Sequence, residues 1–134
     1  MSQENVEIMR RISASFNRGD RDGALAHYHP DVEWRDLQHA PDTPESVHGL
    51  SALSLIWNQW EEAFDEFGAD IEEYIDAGAC VVTVTRWRAK GKESGLALDL
   101  RTVDVYELAN EKVVRVTMGY TDKAAALKAV GLEE

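Results

Sequence analysis

The chain has little that would suit a disulfide-stabilised or membrane-spanning protein. Its single cysteine, Cys80, has no partner for a disulfide within the chain, and it lies in an apolar run typical of a buried core. No apolar run approaches the roughly 20 residues that a bilayer-spanning helix needs. No charged-then-apolar signal segment opens the sequence either, so we expect a cytoplasmic protein.

Basic residues are also few, with 14 Lys and Arg against 25 Asp and Glu, for a formal net charge of -11. A field of that sign repels phosphate backbones and anionic lipid surfaces, so we expect no nucleic acid and no membrane as partner. Three prolines and nine glycines are too few for a low-complexity chain. The 134 residues therefore predict one domain, residues 1–134.

Helical periodicity is clearest in the first half of the chain. Apolar side chains at spacings of three and four predict a helix over residues 3–16, and Asp20 is placed to cap a second, short helix. The strongest pattern runs from residue 50 to residue 67 and places Trp57 and Trp60 on one stripe. Asp122 is placed to cap a last short helix that ends near Gly131.

Strand patterns and tight turns account for most of the remainder. Strands are predicted over residues 32–37, around 74–75, and over 80–88, 96–108 and 112–120, with a proline-containing loop at 38–47. Strands joined by tight turns are antiparallel neighbours, and such a sheet buries one face under helices. The predicted fold is α+β, a cone-shaped roll of helices packed on a strongly curved antiparallel or mixed sheet with an internal pocket.

Several short motifs occur in an order that is typical of one superfamily. They are Asn-Arg-Gly-Asp at 17–20, His-Pro-Asp-Val-Glu-Trp at 29–34, His-Gly at 48–49, and the segment from Ala-Ala-Ala-Leu to Gly-Leu at 124–132. Together they resemble SnoaL-like proteins of the nuclear transport factor two-like superfamily, over nearly the whole chain. Similar proteins include isomerases, cyclases, dehydratases, epoxide hydrolases and non-enzymatic scaffolds, so the resemblance implies the fold more closely than the activity.

Two candidate catalytic residues follow from this resemblance. The base and the protonated acid of ketosteroid isomerases match Asp36 and Asp104, whereas their oxyanion-hole tyrosine falls on Ile12. Loss of one such donor removes about 3 kcal/mol of transition-state stabilisation, which argues against a steroid isomerase mechanism. The Arg-x-Asp pair of limonene epoxide hydrolases is matched only in reversed order at 99–101. SnoaL-like cyclases also rely on a pocket carboxylate, for which either aspartate is a candidate.

Strand alternation predicts what surrounds Asp104, because every second residue of a strand points the same way. If Asp104 faces the pocket, Leu100, Thr102 and Tyr106 face it too. The resemblance to similar proteins implies further inward-facing residues on the two neighbouring strands. They are Val82, Val84, Arg86, Val116, Met118 and Tyr120. The predicted substrate-binding residues are Trp34, His39, Trp57, Trp60, Met118 and Tyr120. Such a lining suits a small apolar or aromatic molecule.

Asp36 and Asp104 are candidates for general base and general acid, since an apolar site raises a carboxyl pKa toward the range where proton transfer is effective. Arg86 is a third candidate, because a guanidinium beside Asp104 would hold that carboxylate ionised. A buried ion pair of Arg86 and Asp104 that only satisfies both groups is an equal alternative. The sequence thus leaves open a cofactor-free cyclase, isomerase or dehydratase and a binding protein without chemistry.

The histidines do not form a metal-binding pattern. His27 and His29 are two residues apart, and His39 and His48 lie in or beside the predicted loop, which favours capping and surface roles. We therefore expect no metal and no cofactor. His39 is close enough in sequence to Asp36 to orient a substrate at the pocket mouth.

A dimerisation module is the third alternative. The same alternation predicts an outer sheet face that carries Val103, Val105, Thr83, Thr85 and Trp87. A homodimer through this face is expected, partly from similar proteins.

Overall fold

The computed structural model describes residues 2–37, 46–120 and 122–131. The helices in this part of the chain are α1 (Ser2–Asn17), α2 (Arg21–Leu25), α3 (Leu50–Ala63) and α4 (Lys123–Ala129). The strands are β1 (Tyr28–Asp36), β2 (Ser46–His48), β3 (Phe64–Ala77), β4 (Cys80–Gly91), β5 (Ala97–Ala109) and β6 (Lys112–Tyr120). None of these helices is long and apolar enough to cross a membrane.

The six strands form one mixed sheet in the order β2-β1-β6-β5-β4-β3. All neighbours are antiparallel except β1 and β6, which are parallel. Register shifts within the β1–β6, β3–β4 and β5–β6 pairs mark irregularities of the bulge type, which bend strands and increase their twist. The predicted α+β class with a curved mixed sheet is confirmed.

Helices cover both faces of the sheet, but unequally. Helices α1 and α3 pack on the inner face, where Met9, Leu53 and Val81 belong to the larger apolar core. Helix α4 packs on the outer face, where Ala126 and Leu127 join Val82 and Val105 in a second cluster. The inner face therefore holds the main core, and α4 already occupies part of the outer face.

Two aspartates cap short helices as predicted. The Asp20 side chain accepts a hydrogen bond of 2.9 Å from the backbone N–H of Gly23, and the Asp122 side chain accepts one of 2.8 Å from Ala125. Each satisfies a backbone donor that has no partner within its helix, which fixes where α2 and α4 begin.

Asn17 fastens the end of α1 to β3. Its side-chain Nδ2 donates to the carbonyl of Ala69 at 2.7 Å, and its Oδ1 accepts from the N–H of the same residue at 3.0 Å. Both polar atoms of one side-chain amide thus bind the backbone of a single residue, much as a neighbouring strand would. This contact sets the position of α1 over the inner face.

The main helix is shorter than predicted, and the strand after it is longer. Helix α3 ends at Ala63, and Phe64 is already extended, with φ of -128° and ψ of 141°. Phe64 and Phe67 both belong to β3 and are three residues apart. The pairing of β3 with β4 shifts register around them, between Asp65 and Gly68, where Glu66 has φ of 54°. The prediction of a helix through residue 67 is therefore wrong. It rests on a spacing of three between apolar residues, which imitates a helical repeat.

The predicted inward face of β4 is also wrong, by one residue. In the antiparallel β4–β5 pair, Thr83 lies opposite Asp104 and Thr85 lies opposite Thr102. Residues directly opposite each other share a face, so Thr83, Thr85 and Trp87 face inward with Asp104. The outward residues are Val82, Val84 and Arg86, not the threonines and Trp87 that the sequence placed there.

Tyr120 lies on the outer face because β6 carries one residue more than β5 at the bulge. Val105 pairs with Thr117, but Val103, two residues earlier, pairs with Tyr120, three residues later. The extra residue reverses the alternation, and Tyr120 packs beside Val103 in the cluster under α4. Its predicted inward position is therefore wrong.

Candidate functional site

A small cavity of about 50 Å³ lies between α1, α3 and the inner face of the sheet. All four tryptophans of the chain line it. The lining residues are Met9, Ile12, Ser13, Phe16, Tyr28, Trp34, Leu53, Trp57, Trp60, Ala69, Ile71, Thr85, Trp87, Tyr106, Val116 and Met118. The wall is therefore mostly apolar and aromatic.

The aromatic rings of this wall hold one another in place. Trp60 meets Trp34 and Trp87 edge to face with centroids 6.0 and 6.1 Å apart, and it stacks on Phe67 at 5.8 Å. Phe16 meets Trp57 at 5.2 Å and 88°. Such aromatic pairs contribute about 0.5–1.5 kcal/mol each beyond area burial. The rings that face the cavity are thus fixed by contacts with each other.

The cavity is small for a ligand site. Its volume gives room for about four water molecules, whereas drug-sized ligands occupy pockets of roughly 300–1,000 Å³. An occupant must therefore be small, or it must displace some of the rings. Burial raises the pKa of Tyr28 and of Tyr106, so both phenols in the wall stay neutral at physiological pH.

Asp104 is fully buried next to the cavity wall. Its Oδ1 accepts a 3.0 Å hydrogen bond from the backbone N–H of Gly119, and its Oδ2 accepts one of 2.9 Å from the hydroxyl of Thr102. Thr85, part of the cavity wall, lies on the same face of the neighbouring strand β4, and its hydroxyl is 3.4 Å from that of Thr83, the residue directly opposite Asp104. Burial outweighs the hydrogen bonds to this carboxyl and raises the pKa of Asp104 to about 7, with the negative charge of Asp36 adding to the rise.

Asp36 lies at the same end of the sheet as Asp104. It is the last residue of β1, pairs in register with Met118 of β6, and is buried. Because its charge acts on Asp104, the two carboxyls that the sequence singled out come into one region. Each is within one strand of the cavity wall, of which Met118 and Thr85 are part.

Arg86 does not join this region, so its predicted place beside Asp104 is wrong. It projects from the outer face, where its Nη2 and Nε bind the carboxylate of Asp99 at 2.6 and 2.9 Å. The side chains of Arg86 and Asp99 are 36% and 51% exposed. This hydrogen-bonded ion pair lowers the pKa of Asp99 and raises that of Arg86. The one-residue error in the inward face of β4 is the reason.

Most of the predicted ligand-contacting residues meet at the cavity. Trp34, Trp57, Trp60 and Met118 line it, and the Trp34 Nε1–H donates to the Met118 Sδ at 3.0 Å. Tyr120 lies outside it, and His39 falls outside the described residues. In the described part of the chain, no three metal-binding side chains lie together.

Sequence reasoning missed Thr85, Trp87 and Phe16 at this site. The alternating Thr-x-Thr-x-Trp pattern of residues 83–87 was a usable signal, since threonines opposite an acid supply the donors that a buried carboxyl requires.

The comparison with a family model gives a match to the SnoaL-like domain over residues 9–116. No curated protein sequence matches the chain. An NTF2-like protein of unknown function from Burkholderia pseudomallei is similar in structure, with 22% identity, a TM-score of 0.76, and coverage of 96% of this chain and 98% of that one.

Two further similar structures were determined with small molecules. TerC, co-crystallised with polyporic acid, has 20% identity and a TM-score of 0.77, with 95% of this chain and 98% of that one covered. A protein of ketosteroid isomerase-like fold from Catenulispora acidiphila, in complex with trimethylamine, has 15% identity and a TM-score of 0.73, with 94% and 93% covered. These likenesses support the fold, and the family match shows that the chain belongs to the SnoaL-like domain family.

Proposed function

We propose that this protein binds a small apolar or aromatic molecule in the tryptophan-lined cavity. The observation that carries the proposal is the convergence of all four tryptophans, with Phe16, Tyr28 and Tyr106, on one void rather than on a filled core. Aromatic walls bind flat apolar molecules by dispersion and edge-to-face contact. The net charge of -11 disfavours anionic ligands.

Intrinsic fluorescence provides a direct test, because each tryptophan of the chain reports on the cavity. We use nitrobenzene, a neutral single-ring quencher, and measure lifetimes to separate saturable binding from collisional quenching. Saturable quenching at low ligand concentration supports the proposal. Quenching that stays linear and collisional for nitrobenzene contradicts it.

A matched pair of variants locates the binding. Val116→Leu adds a methylene group to the cavity wall, whereas Val113→Leu makes the same change at a fully buried position on the same strand outside that wall. We expect Val116→Leu alone to weaken nitrobenzene binding, by about tenfold, since small cavities tolerate little added volume. Equal weakening by both variants would point to general loosening of the core.

Proton transfer is the second candidate function, favoured by the carboxyl of Asp104. Its pKa of about 7 places it where it can both give and take a proton at physiological pH, and the Thr102 hydroxyl joins it to Trp87 of the cavity wall. A cofactor-free cyclase, isomerase or dehydratase would use Asp104 and Asp36 in this way. The described geometry gives Arg86 no part in it.

Hydrogen exchange tests this candidate without knowledge of the product. Small cyclic ketones are incubated with the protein in D₂O, and loss of the α-proton is followed by NMR. Catalysis by the carboxyls requires exchange that Asp104→Asn and Asp36→Asn abolish while nitrobenzene binding persists. Exchange no faster than in the variants would leave binding alone as the function.

A homodimer through the outer face of the sheet is a further proposal. In favour of it, Val103 is only partly buried on this face. Against it, α4 covers Val105 and Val82. The region around β3, β4 and β5 also carries exposed ion pairs, such as Arg101 with Glu72 at 2.6 Å. Sedimentation at micromolar concentration tests it, and a monomer at every concentration contradicts it.

A further inference from the structure

A directional chain of hydrogen bonds joins the cavity wall to Asp104. The indole Nε1 of Trp87 donates to the Thr102 hydroxyl oxygen at 2.8 Å, and the Thr102 hydroxyl bonds Oδ2 of Asp104 at 2.9 Å. An indole N–H is only a donor, so the Thr102 oxygen must accept from it. The single hydroxyl proton of Thr102 is thereby left to point at the carboxyl.

The other groups around Asp104 come from its own strand β5, from the neighbouring strands β4 and β6, and from β1. Gly119 of β6 supplies a backbone N–H, Thr83 of β4 lies directly opposite, and the ionisable groups that act on the carboxyl are Asp36 of β1 and Tyr106 of β5. Tyr106 is neutral because burial raises its pKa. Asp36 raises the pKa of Asp104, so its effect opposes that of the donors.

We propose that Trp87 and Thr102 are positioning residues that orient the Thr102 hydroxyl proton toward Asp104. They thereby link the protonation of this carboxyl to the binding of a ligand in the cavity. The biological role of this hydrogen-bond chain rests on the proposed function, since Trp87 is the residue of the chain that a ligand in the cavity would contact. Donors to a carboxylate stabilise its ionised form. A ligand that turns the Trp87 ring away would release Thr102 and favour proton uptake by Asp104, and by reciprocity protonation would favour that ligand.

Titration of the Asp104 carboxyl by ¹³C NMR in the ligand-free protein tests the relay directly. The resonance is assigned by its loss in Asp104→Asn. We expect Trp87→Phe to raise the pKa of Asp104 by about half a unit, which is about a threefold change in proton affinity, and Thr102→Val to raise it further. Thr102→Ser should restore the value found in the unmodified protein, because it keeps the hydroxyl.

Trp57→Phe is the matched control, since Trp57 lines the same cavity on α3 away from Thr102. A shift in Trp57→Phe equal to that in Trp87→Phe would overturn the proposal, because it would reflect altered packing. No shift in Trp87→Phe would overturn it as well. Nitrobenzene binding is measured separately on the same proteins, so failure of the proposed function leaves the titration result intact.

Discussion

The backbone N–H of Gly119 donates a 3.0 Å hydrogen bond to Oδ1 of Asp104 at the bulge where β6 gains its extra residue over β5. One local irregularity therefore does two things: it supplies a donor to the buried carboxyl, and it turns Tyr120 to the opposite face. Gly119 has φ of 86°, a conformation that residues with a Cβ rarely adopt.

Gly119→Ala should lower the free energy of unfolding by about 1–2 kcal/mol, because alanine is strained at positive φ. Gly78→Ala is the control, since Gly78 also has positive φ (79°) but an added Cβ there would meet no atom within 4 Å. Urea unfolding measures both, and NMR titration follows Asp104. Only Gly119→Ala should change the pKa of Asp104, so an equal change in both variants would contradict this role of the bulge.

Asp104 should make the folded protein less stable as the pH rises from about 4 to about 7. An unfolded aspartate loses its proton near pH 3.9, whereas the folded carboxyl keeps it until about pH 7. Since the folded state binds more protons in this window, stability falls with rising pH. Asp104→Asn removes this term, so its stability relative to the unmodified protein should increase across the window. Parallel stability curves from urea unfolding would show that Asp104 titrates normally.

Asn17→Ala should destabilise the fold by about 2 kcal/mol, because it removes two part-buried hydrogen bonds to the backbone of Ala69. Asn5→Ala, on the same helix, removes one exposed bond to the carbonyl of Gly78 and should cost less than about 1 kcal/mol. Chemical unfolding compares them. Similar losses in the two variants would mean that the Asn17 contact does not fix α1 to β3.

Arg86→Ala should leave nitrobenzene binding within about twofold and the melting temperature nearly unchanged, since exposed ion pairs contribute little. Arg101→Ala, which breaks another exposed pair, with Glu72, is the control and should behave alike. Fluorescence titration measures nitrobenzene binding, and thermal melting measures the melting temperature of both variants. A loss of nitrobenzene binding in Arg86→Ala but not in Arg101→Ala would indicate that Arg86 faces the cavity and would contradict the β4–β5 register.

Local signals predicted most of the helices and strands, whereas Asp36 and Asp104 were singled out by the resemblance to ketosteroid isomerases. The caps at Asp20 and Asp122, the α1 stripe and the β6 strand follow from short-range chemistry, which a sequence displays directly. What failed depends on pairing between distant segments. The inward face of β4 is set by its register with β5, and the position of Tyr120 by a bulge against β5. A shift of one residue reverses every side chain of a strand, so alternation alone could not decide between Arg86 and Trp87.

The parallel pairing of β1 with β6 has a consequence for how the molecule is made. Trp34 and Met118 touch across a separation of 84 residues, so one side of the cavity is completed only after β6 has left the ribosome. Long-range pairing of this kind slows folding, because a large loop must close before its contacts form. Among the described strands, β2 can pair with β1 early in synthesis, whereas the other edge of β1 remains unpaired until β6 has been made.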